Sequence, residues 1–318
     1  MILVIAMIID EIIQGDCLEW IPKLEGVHLS FLDPPFNQGK EYRFFNDNLS
    51  EEEYWSWMRE VVGEIYKVTE KGGAIYFMQR EKNTEWVLRI LRETGWTLQN
   101  VIIWKKMASA VPQKYRFNKA YQIIAFATKG KKPRVFNKLR VDYPLAPWHK
   151  YPRENGMYLT DVWDDIRELT SGYFAGDEPL RDESGKRIHL QQSPVALLLR
   201  IILSSTMPGD LVLDPFAGTG TTLVVAKQLK RHYVGIEIDP HYVEVIKKRL
   251  AKLRKADDVT RYREYYRFTE NLDKIWPISE KPLKTPKQKT LFDVELSQRS
   301  KNIPKDGRVT RIEENQPT

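Results

Sequence analysis

The chain has 318 residues, of which 42% are hydrophobic, with 50 Lys+Arg against 43 Asp+Glu and a single cysteine. That apolar content excludes a wholly disordered polymer, and the length has room for one large domain or two smaller ones. The lone Cys17 and five scattered His residues exclude a disulfide scaffold and a Cys- or His-rich metal site, and no uncharged apolar run approaches the ~20 residues that span a bilayer.

The opening MILVIAMII runs straight into Asp10 and Glu11 without a basic flank or a small-residue cleavage site. It reads as the lead-in to a buried strand, and the expected compartment is the cytoplasm. VHLSFLDPP (27–35) predicts a buried strand that stops at a double proline. Ser50, followed by three glutamates, predicts a capped helix running to about Val68 and ending before Gly72-Gly73. Strand 74–79, helix 84–94, strand 100–106 and strand 121–130 follow. From about 131 to 188 the chain is rich in Pro, Gly and charge without clear periodicity, and reads as an insertion carried on a scaffold. Residues 193–206 predict a helix with Pro194 in its first turn. Strand, glycine loop and helix occupy 209–229, then a strand 232–239 and a helix 240–254. This alternation predicts a mostly parallel α/β sheet covered on both faces. Beyond about 281 the Lys/Pro/Gln/Asn-rich tail reads as mobile.

The net charge of +7 is unevenly placed: residues 105–156 carry 13 Lys+Arg and 2 Asp+Glu, or +11. Such a block is the footprint of a polyanion. Trp104, Tyr115, Phe117, Tyr121, Trp148 and Tyr151 are interleaved with it, a mixture that suits bases as well as phosphates. The candidate nucleic-acid contacts are Lys105, Lys106, Lys114, Arg116, Lys119, Lys131, Lys132 and Arg134.

VLDPFAGTGTT (212–222) is the sharpest local feature. A strand ends at Asp214, the chain turns through Gly218 and Gly220, and a helix begins. Glycines there permit positive φ and close approach of a ligand to backbone N–H groups. The Lys of a phosphate-cradling loop is missing, and Leu223 stands where a dinucleotide fingerprint has its third glycine. Glu237, ending the next strand, is placed to hold ribose hydroxyls. Together they point to a nucleoside cofactor without a dedicated phosphate grip.

DPPF (33–36) ends another strand. With it the chain resembles the S-adenosylmethionine-dependent amino-methyltransferases of DNA, whose catalytic motif is (D/N/S)-P-P-(Y/F/W) and whose cofactor motif is similar to DPFAGTGTT. The catalytic motif comes first here and the cofactor motif last, with an insertion between, which resembles the circularly permuted β-class. IIQGDCLEW (12–20) resembles the segment that contacts the cofactor adenine, which implicates Asp16. TDVWDD (160–165) resembles the stretch leading to the recognition boundary. HLQQSP (189–194) resembles the box HPTQKP, departing at Leu190, Gln191 and Ser193. The resemblance implies a Rossmann-like methyltransferase fold with residues 1–130 as catalytic half, 131–188 as a small target-recognition insertion, 189–254 as cofactor half and 255–318 as a C-terminal extension.

It further implies catalytic roles for Asp33, Pro34, Pro35 and Phe36. Asp33 and the Pro34 carbonyl would accept the two N–H groups of a base amine, Pro35 would stiffen the loop, and the Phe36 ring would face an extruded base. Asp16, Asp214, Phe216, Ala217, Gly218, Thr219, Gly220, Thr221, Thr222 and Glu237 would hold S-adenosylmethionine, leaving S-adenosylhomocysteine as product. No metal is required. DNA at adenine N6 or cytosine N4 is the leading target, and Asp as first motif residue leans to adenine. An RNA amino-methyltransferase is the alternative, since RYREYYRF (261–268) interleaves Arg with rings in a way that suits single strands, though an amphipathic helix packing on the domain fits it as well. A non-catalytic nucleic-acid-binding module has no use for Asp33 and Gly218 in these contexts, and a small-molecule or glutamine methylase has none for the +11 block. KQKTLFDVE (287–295) resembles sliding-clamp binding peptides at Gln288 and Leu291, with Phe292 following, although Val294 and Glu295 replace the usual bulky pair.

Overall fold

A computed structural model describes residues 8–40, 43–106, 112–142, 154–169, 176–189 and 191–278. Strand β1 (Glu11–Gln14) and helix α1 (Cys17–Trp20) lead to β2 (Val27–Leu32), α2 (Glu51–Val68), β3 (Thr69–Arg80), α3 (Thr84–Glu93), β4 (Thr97–Lys105) and β5 (Tyr121–Thr128). Three short strands follow, β6 (Arg140–Val141), β7 (Met157–Tyr158) and β8 (Val162–Trp163). The last part contains α4 (Val195–Ser205), β9 (Leu211–Asp214), α5 (Thr221–Gln228), β10 (His232–Glu237), α6 (Pro240–Ala251) and α7 (Leu272–Ile275).

One eight-stranded sheet runs β1-β10-β9-β2-β3-β5-β4-β8, and β6 pairs with β7 apart from it. Every pairing in the large sheet is parallel except those of β5, which is antiparallel to both β3 and β4. Among the described residues between β4 and β5 no helix crosses over, and β5 returns antiparallel. The interior strands are apolar almost throughout because both faces are covered. Leu29, Phe31, Tyr76 and Met78 face a core built with α4 and α5, whereas Leu32, Ile75 and Phe77 face α2 and α3.

Local sequence explains the elements well. The Ser50 hydroxyl accepts the Glu53 N–H at 3.2 Å and the Glu53 carboxylate accepts the Ser50 N–H at 3.0 Å, a reciprocal cap that starts α2. Tyr54, Met58, Val61, Val62 and Ile65 form its buried stripe. Three boundaries differ from expectation. β3 begins at Thr69 rather than 74, running through Gly72-Gly73 as a bulge where its register with β2 shifts. A Cβ on Gly72 (φ +77°) would lie 2.8 Å from the Arg134 backbone nitrogen. Pro194 caps α4 from outside it rather than occupying its first turn. α6 stops at Ala251, and Arg254 turns instead to Asp257 at 2.7 Å.

The described parts of 131–188 are closely joined to the scaffold. β8 adds the eighth strand, and Leu139, Val141, Trp163 and Ile166 belong to the main core. RYREYYRF is likewise structural, folded as short 3-10 turns rather than as an amphipathic helix. Tyr266 is buried, the Tyr265 hydroxyl donates to Asp165, and Arg261, Arg263 and Arg267 pair with Glu178, Asp273 and Asp142. The arrangement expected for gripping a single strand is spent on packing. Among the described residues no helix is long and apolar enough to cross a membrane.

Candidate active site

β2 and β9 are parallel neighbours, Leu29 opposite Val212 and Ser30 opposite Leu213. The helix after β9 packs on one face of the sheet and the helix after β2 on the other. Their connections diverge, and a crevice opens at the carboxyl ends of both strands. A cavity of about 250 Å³ occupies it, with Asp33, Pro34 and Pro35 on one side and Asp214 through Thr219 on the other. Gly15 and Asp16 from the end of β1 and Glu237 from the end of β10 also line it. Motifs some 180 residues apart in sequence are thus brought together by one strand pairing.

The DPPF loop is braced from behind. The Tyr54 hydroxyl donates to the Pro35 carbonyl at 2.8 Å and accepts from the Gln79 amide at 2.9 Å. Asp47 accepts the backbone N–H groups of Asn37, Gln38 and Lys40 at 2.7–3.0 Å, fixing the exit of the loop. Phe36 departs from expectation. It is only 4% exposed and does not line the cavity, so its ring face is turned into the protein.

Asp33 Oδ2 accepts the Ser193 hydroxyl at 2.9 Å. Burial raises the Asp33 carboxyl to about 6, against the opposing pull of that hydrogen bond and of Lys106 and Lys40. Asp214 and Glu237 are each raised by burial to about 7, and the Asp33 charge adds to the effect on Asp214.

The glycine loop is held by its own acidic partner. Glu237 accepts the Gly218 N–H at 2.7 Å and the Asp239 N–H at 2.9 Å, while Asp214 accepts the Phe216 N–H at 3.1 Å. Gly220 caps α5 in the left-handed region (φ +79°), where a Cβ would meet Ile246 at 2.8 Å. Thr219, Thr221 and Thr222 are buried; Phe216 and Ala217 face the cavity. Phe216 meets Trp57 edge-on at 5.6 Å, and Trp57 in turn meets Phe45 at 4.9 Å. Asp16 caps α1 by accepting the Leu18 N–H at 2.9 Å.

Four further contributors act through contacts that only the fold creates. Ser193 bonds Asp33, as described. His189 lines the cavity, and its Nδ1 accepts the Gln191 N–H at 3.0 Å, which assigns the remaining proton to Nε2. Burial holds its pKa near 4, so the ring is neutral. Arg249 lies behind the loop, donating to the Thr219 carbonyl and the Thr221 hydroxyl at 2.9 and 3.0 Å while forking onto buried Asp257. Lys106 sits close enough to Asp33 to act on its charge.

The basic residues divide between opposite ends of the sheet. Lys105 ends β4 opposite Tyr121, the first residue of β5, so the connection carrying Lys106, Lys114, Arg116 and Lys119 lies at the cavity end. Lys114 and Arg116 are exposed there. Lys105, Lys106 and Lys119 reach Asp164, Glu168 and Glu81 at 4.0, 3.4 and 2.8 Å. Lys131, Lys132 and Arg134 follow the other end of β5, roughly 25 Å away at the extended rise of eight residues. Arg134 is bound to Asp210, and its N–H to the Gly72 carbonyl at 2.7 Å. Lys131, Lys132 and Arg134 thus stand at the end of the sheet away from the cavity, where Arg134 braces the turn at Gly72. The clamp-like Gln288, Leu291 and Phe292 lie outside the described residues.

A permuted α/β sheet with paired motifs at adjacent strand ends defines a methyltransferase. A protein-family model described as DNA methylase matches residues 27–248, and the chain belongs to that family of amino-methylating enzymes. It is 32% identical over 286 residues to the DNA adenine methyltransferase YhdJ of Escherichia coli (strain K12), covering 85% of this chain and 92% of that protein. It is 31% identical over 267 residues to the type II methyltransferase M.HinfI of Haemophilus influenzae, covering 77% of this chain and 69% of that protein. Among solved structures, the cytosine-N4-specific PvuII DNA methyltransferase shares the fold at 20% identity and a TM-score of 0.57, over 82% of this chain and 92% of that one. M1.HpyAVI, solved as a complex with S-adenosylmethionine, shares it at 23% identity and a TM-score of 0.50, over 76% of this chain and 99% of that one.

Proposed function

We propose that the chain transfers a methyl group from S-adenosylmethionine to the N6 amino group of adenine in DNA, releasing S-adenosylhomocysteine. The observation that carries the reading is the meeting of Asp33 with Asp214 and Glu237 around one cavity. Its lining suits this cofactor: among the described residues, five carboxylates stand against one Lys or Arg cation, Arg43, with a neutral His189. Such a set accepts hydroxyls and a positive sulfonium and offers little to a phosphate. Glu237 and Asp16 hold the nucleoside, Phe216 and Ala217 bound it, and Asp214 with Gly218, Thr219, Gly220, Thr221 and Thr222 hold the remainder.

When bound, the cofactor supplies a methyl group already activated for displacement. The protein's task is to present the amine. Asp33 accepts one N–H and the Pro34 carbonyl the other, which aims the nitrogen lone pair outward and stabilises the positive charge it develops. Pro35 limits the freedom of the loop, and the near-attack alignment supplies much of the remaining rate. Asp33, with its carboxyl near 6, takes the proton that the methylated nitrogen sheds.

Asp as the first motif residue and the 32% identity to a DNA adenine methyltransferase favour adenine over cytosine. The division into catalytic half (1–130), recognition insertion (131–188), cofactor half (189–254) and extension (255–318) belongs to the same reading. So do a cytoplasmic location and a sliding-clamp contact through Gln288, Leu291 and Phe292. Incubation with labelled S-adenosylmethionine and, separately, unmethylated duplex DNA, total RNA or intact ribosomes, followed by digestion to nucleosides and mass identification, tests it. N6-methyladenine in DNA is expected. N4-methylcytosine would replace the base, and label confined to RNA would replace the substrate.

A further inference from the structure

Of the interleaved rings in the basic segment that are described, Trp104 is buried with its indole N–H on the Ile166 carbonyl at 2.8 Å, and Tyr121 lies within β5. Tyr115 and Phe117 behave differently, being 87% and 96% exposed. Two large rings left in water two residues apart mark a contact surface.

Their position is set by the neck of the connection they stand on. The Lys106 N–H donates to the Ala120 carbonyl at 2.7 Å, closing it. Lys106 is near enough to act on Asp33, and Lys119 pairs with Glu81, just past β3, at 2.8 Å. Both ends are therefore tied to the sheet edge that carries the cavity. The rings alternate with cations, Lys114-Tyr115-Arg116-Phe117, and Lys114 Nζ lies 5.0 Å from the Tyr115 ring centre. No acidic residue occurs from Lys105 to Val141. Charge complementarity thus selects a polyanion over a protein surface, and the rings select one with stacked bases to replace.

We propose that Tyr115 and Phe117 form a wedge that enters the base stack of duplex DNA at the target step and fills the space vacated when the target base turns into the cavity. This rests on the reading of the chain as a DNA methyltransferase. Extruding a paired base breaks its stacking and pairing, and an aromatic side chain in the gap replaces part of what is lost. Lys114 and Arg116 hold the phosphates beside it.

The test uses the full chain and a duplex of its own target sequence, mapped beforehand on unmethylated DNA. Phe117→Ala and Tyr115→Ala are compared with the wild type in single turnover, with the target base paired or mispaired. Near-complete exposure of both rings keeps the variants folded. The expected result is a loss of roughly ten-fold or more on the paired duplex, largely recovered on the mispaired one, where less unstacking remains to be done. Lys114→Ala, by contrast, weakens both duplexes alike. Equal losses on the two duplexes, or no loss on the paired one, would overturn the wedge while leaving the methyltransferase reading intact. A wild type that labels RNA and no DNA would overturn both.

Discussion

The Ser193 hydroxyl donates to the Asp33 carboxylate at 2.9 Å across 160 residues of chain. The bond joins the segment that opens the cofactor half to the catalytic loop, at the position where the resembling box carries Lys. It favours the ionised carboxylate, while burial opposes it more strongly and leaves Asp33 near 6. In Ser193→Ala the opposing bond is gone, so the carboxyl rises further. The acid limb of the kcat/KM–pH profile, which reports groups of the free enzyme, should therefore move to higher pH. An unmoved limb would show that Ser193 does not tune Asp33.

The same raised pKa has a consequence for stability. A carboxyl whose folded value exceeds its unfolded one, here about 6 against 3.8, opposes folding increasingly as pH rises through that interval. Asp33→Asn should therefore melt at a higher temperature than the wild type at pH 8. The gain should shrink toward zero as pH falls below 3.8, where the wild-type group becomes protonated in both states. Thermal melts at pH 8 and in that acid range decide it, and an equal gain at both would contradict the linkage.

Gly220 combines a left-handed φ of +79° with an Ile246 methyl 2.8 Å from where a Cβ would stand. Gly220→Ala incurs both strains, about 1–3 kcal/mol for the backbone alone. Melting temperature and cofactor affinity by calorimetry should both fall. Gly130, also at positive φ (+101°) but with nothing within 4 Å, offers a comparison in which only the backbone strain remains.

The division of the basic residues predicts a contrast in salt dependence. Lys114→Ala with Arg116→Ala should reduce the slope of log K against log salt by about two, since each phosphate contact contributes roughly −0.9. Lys131→Ala with Lys132→Ala, at the far edge, should leave it unchanged. Equal effects in a DNA titration would place the polyanion on both edges of the sheet.

Much of this was legible in the sequence because the determinants are local. Asp33 and Asp214 announce themselves as acids ending apolar runs, and Gly218 and Gly220 mark the turn that only glycines make easily. The Ser50–Glu53 cap is readable for the same reason. What was hidden depends on pairing. One antiparallel strand, β5, carries a contiguous basic block from the cavity edge to the opposite one. Ser193 and Arg249 act on site residues from 28 to 160 positions away. Arg261 and its neighbours look ready for a single strand, yet each finds an acidic partner within the fold.

The most direct measurement pairs two readouts on Asp33→Ala: methyl transfer to adenine in unmethylated duplex DNA, and S-adenosylmethionine binding by calorimetry. Transfer should be abolished while binding stays close to that of the wild type, because Asp33 presents the amine and the Asp214–Glu237 side of the cavity holds the cofactor. Retained transfer, or transfer and binding lost together, would contradict that division of labour.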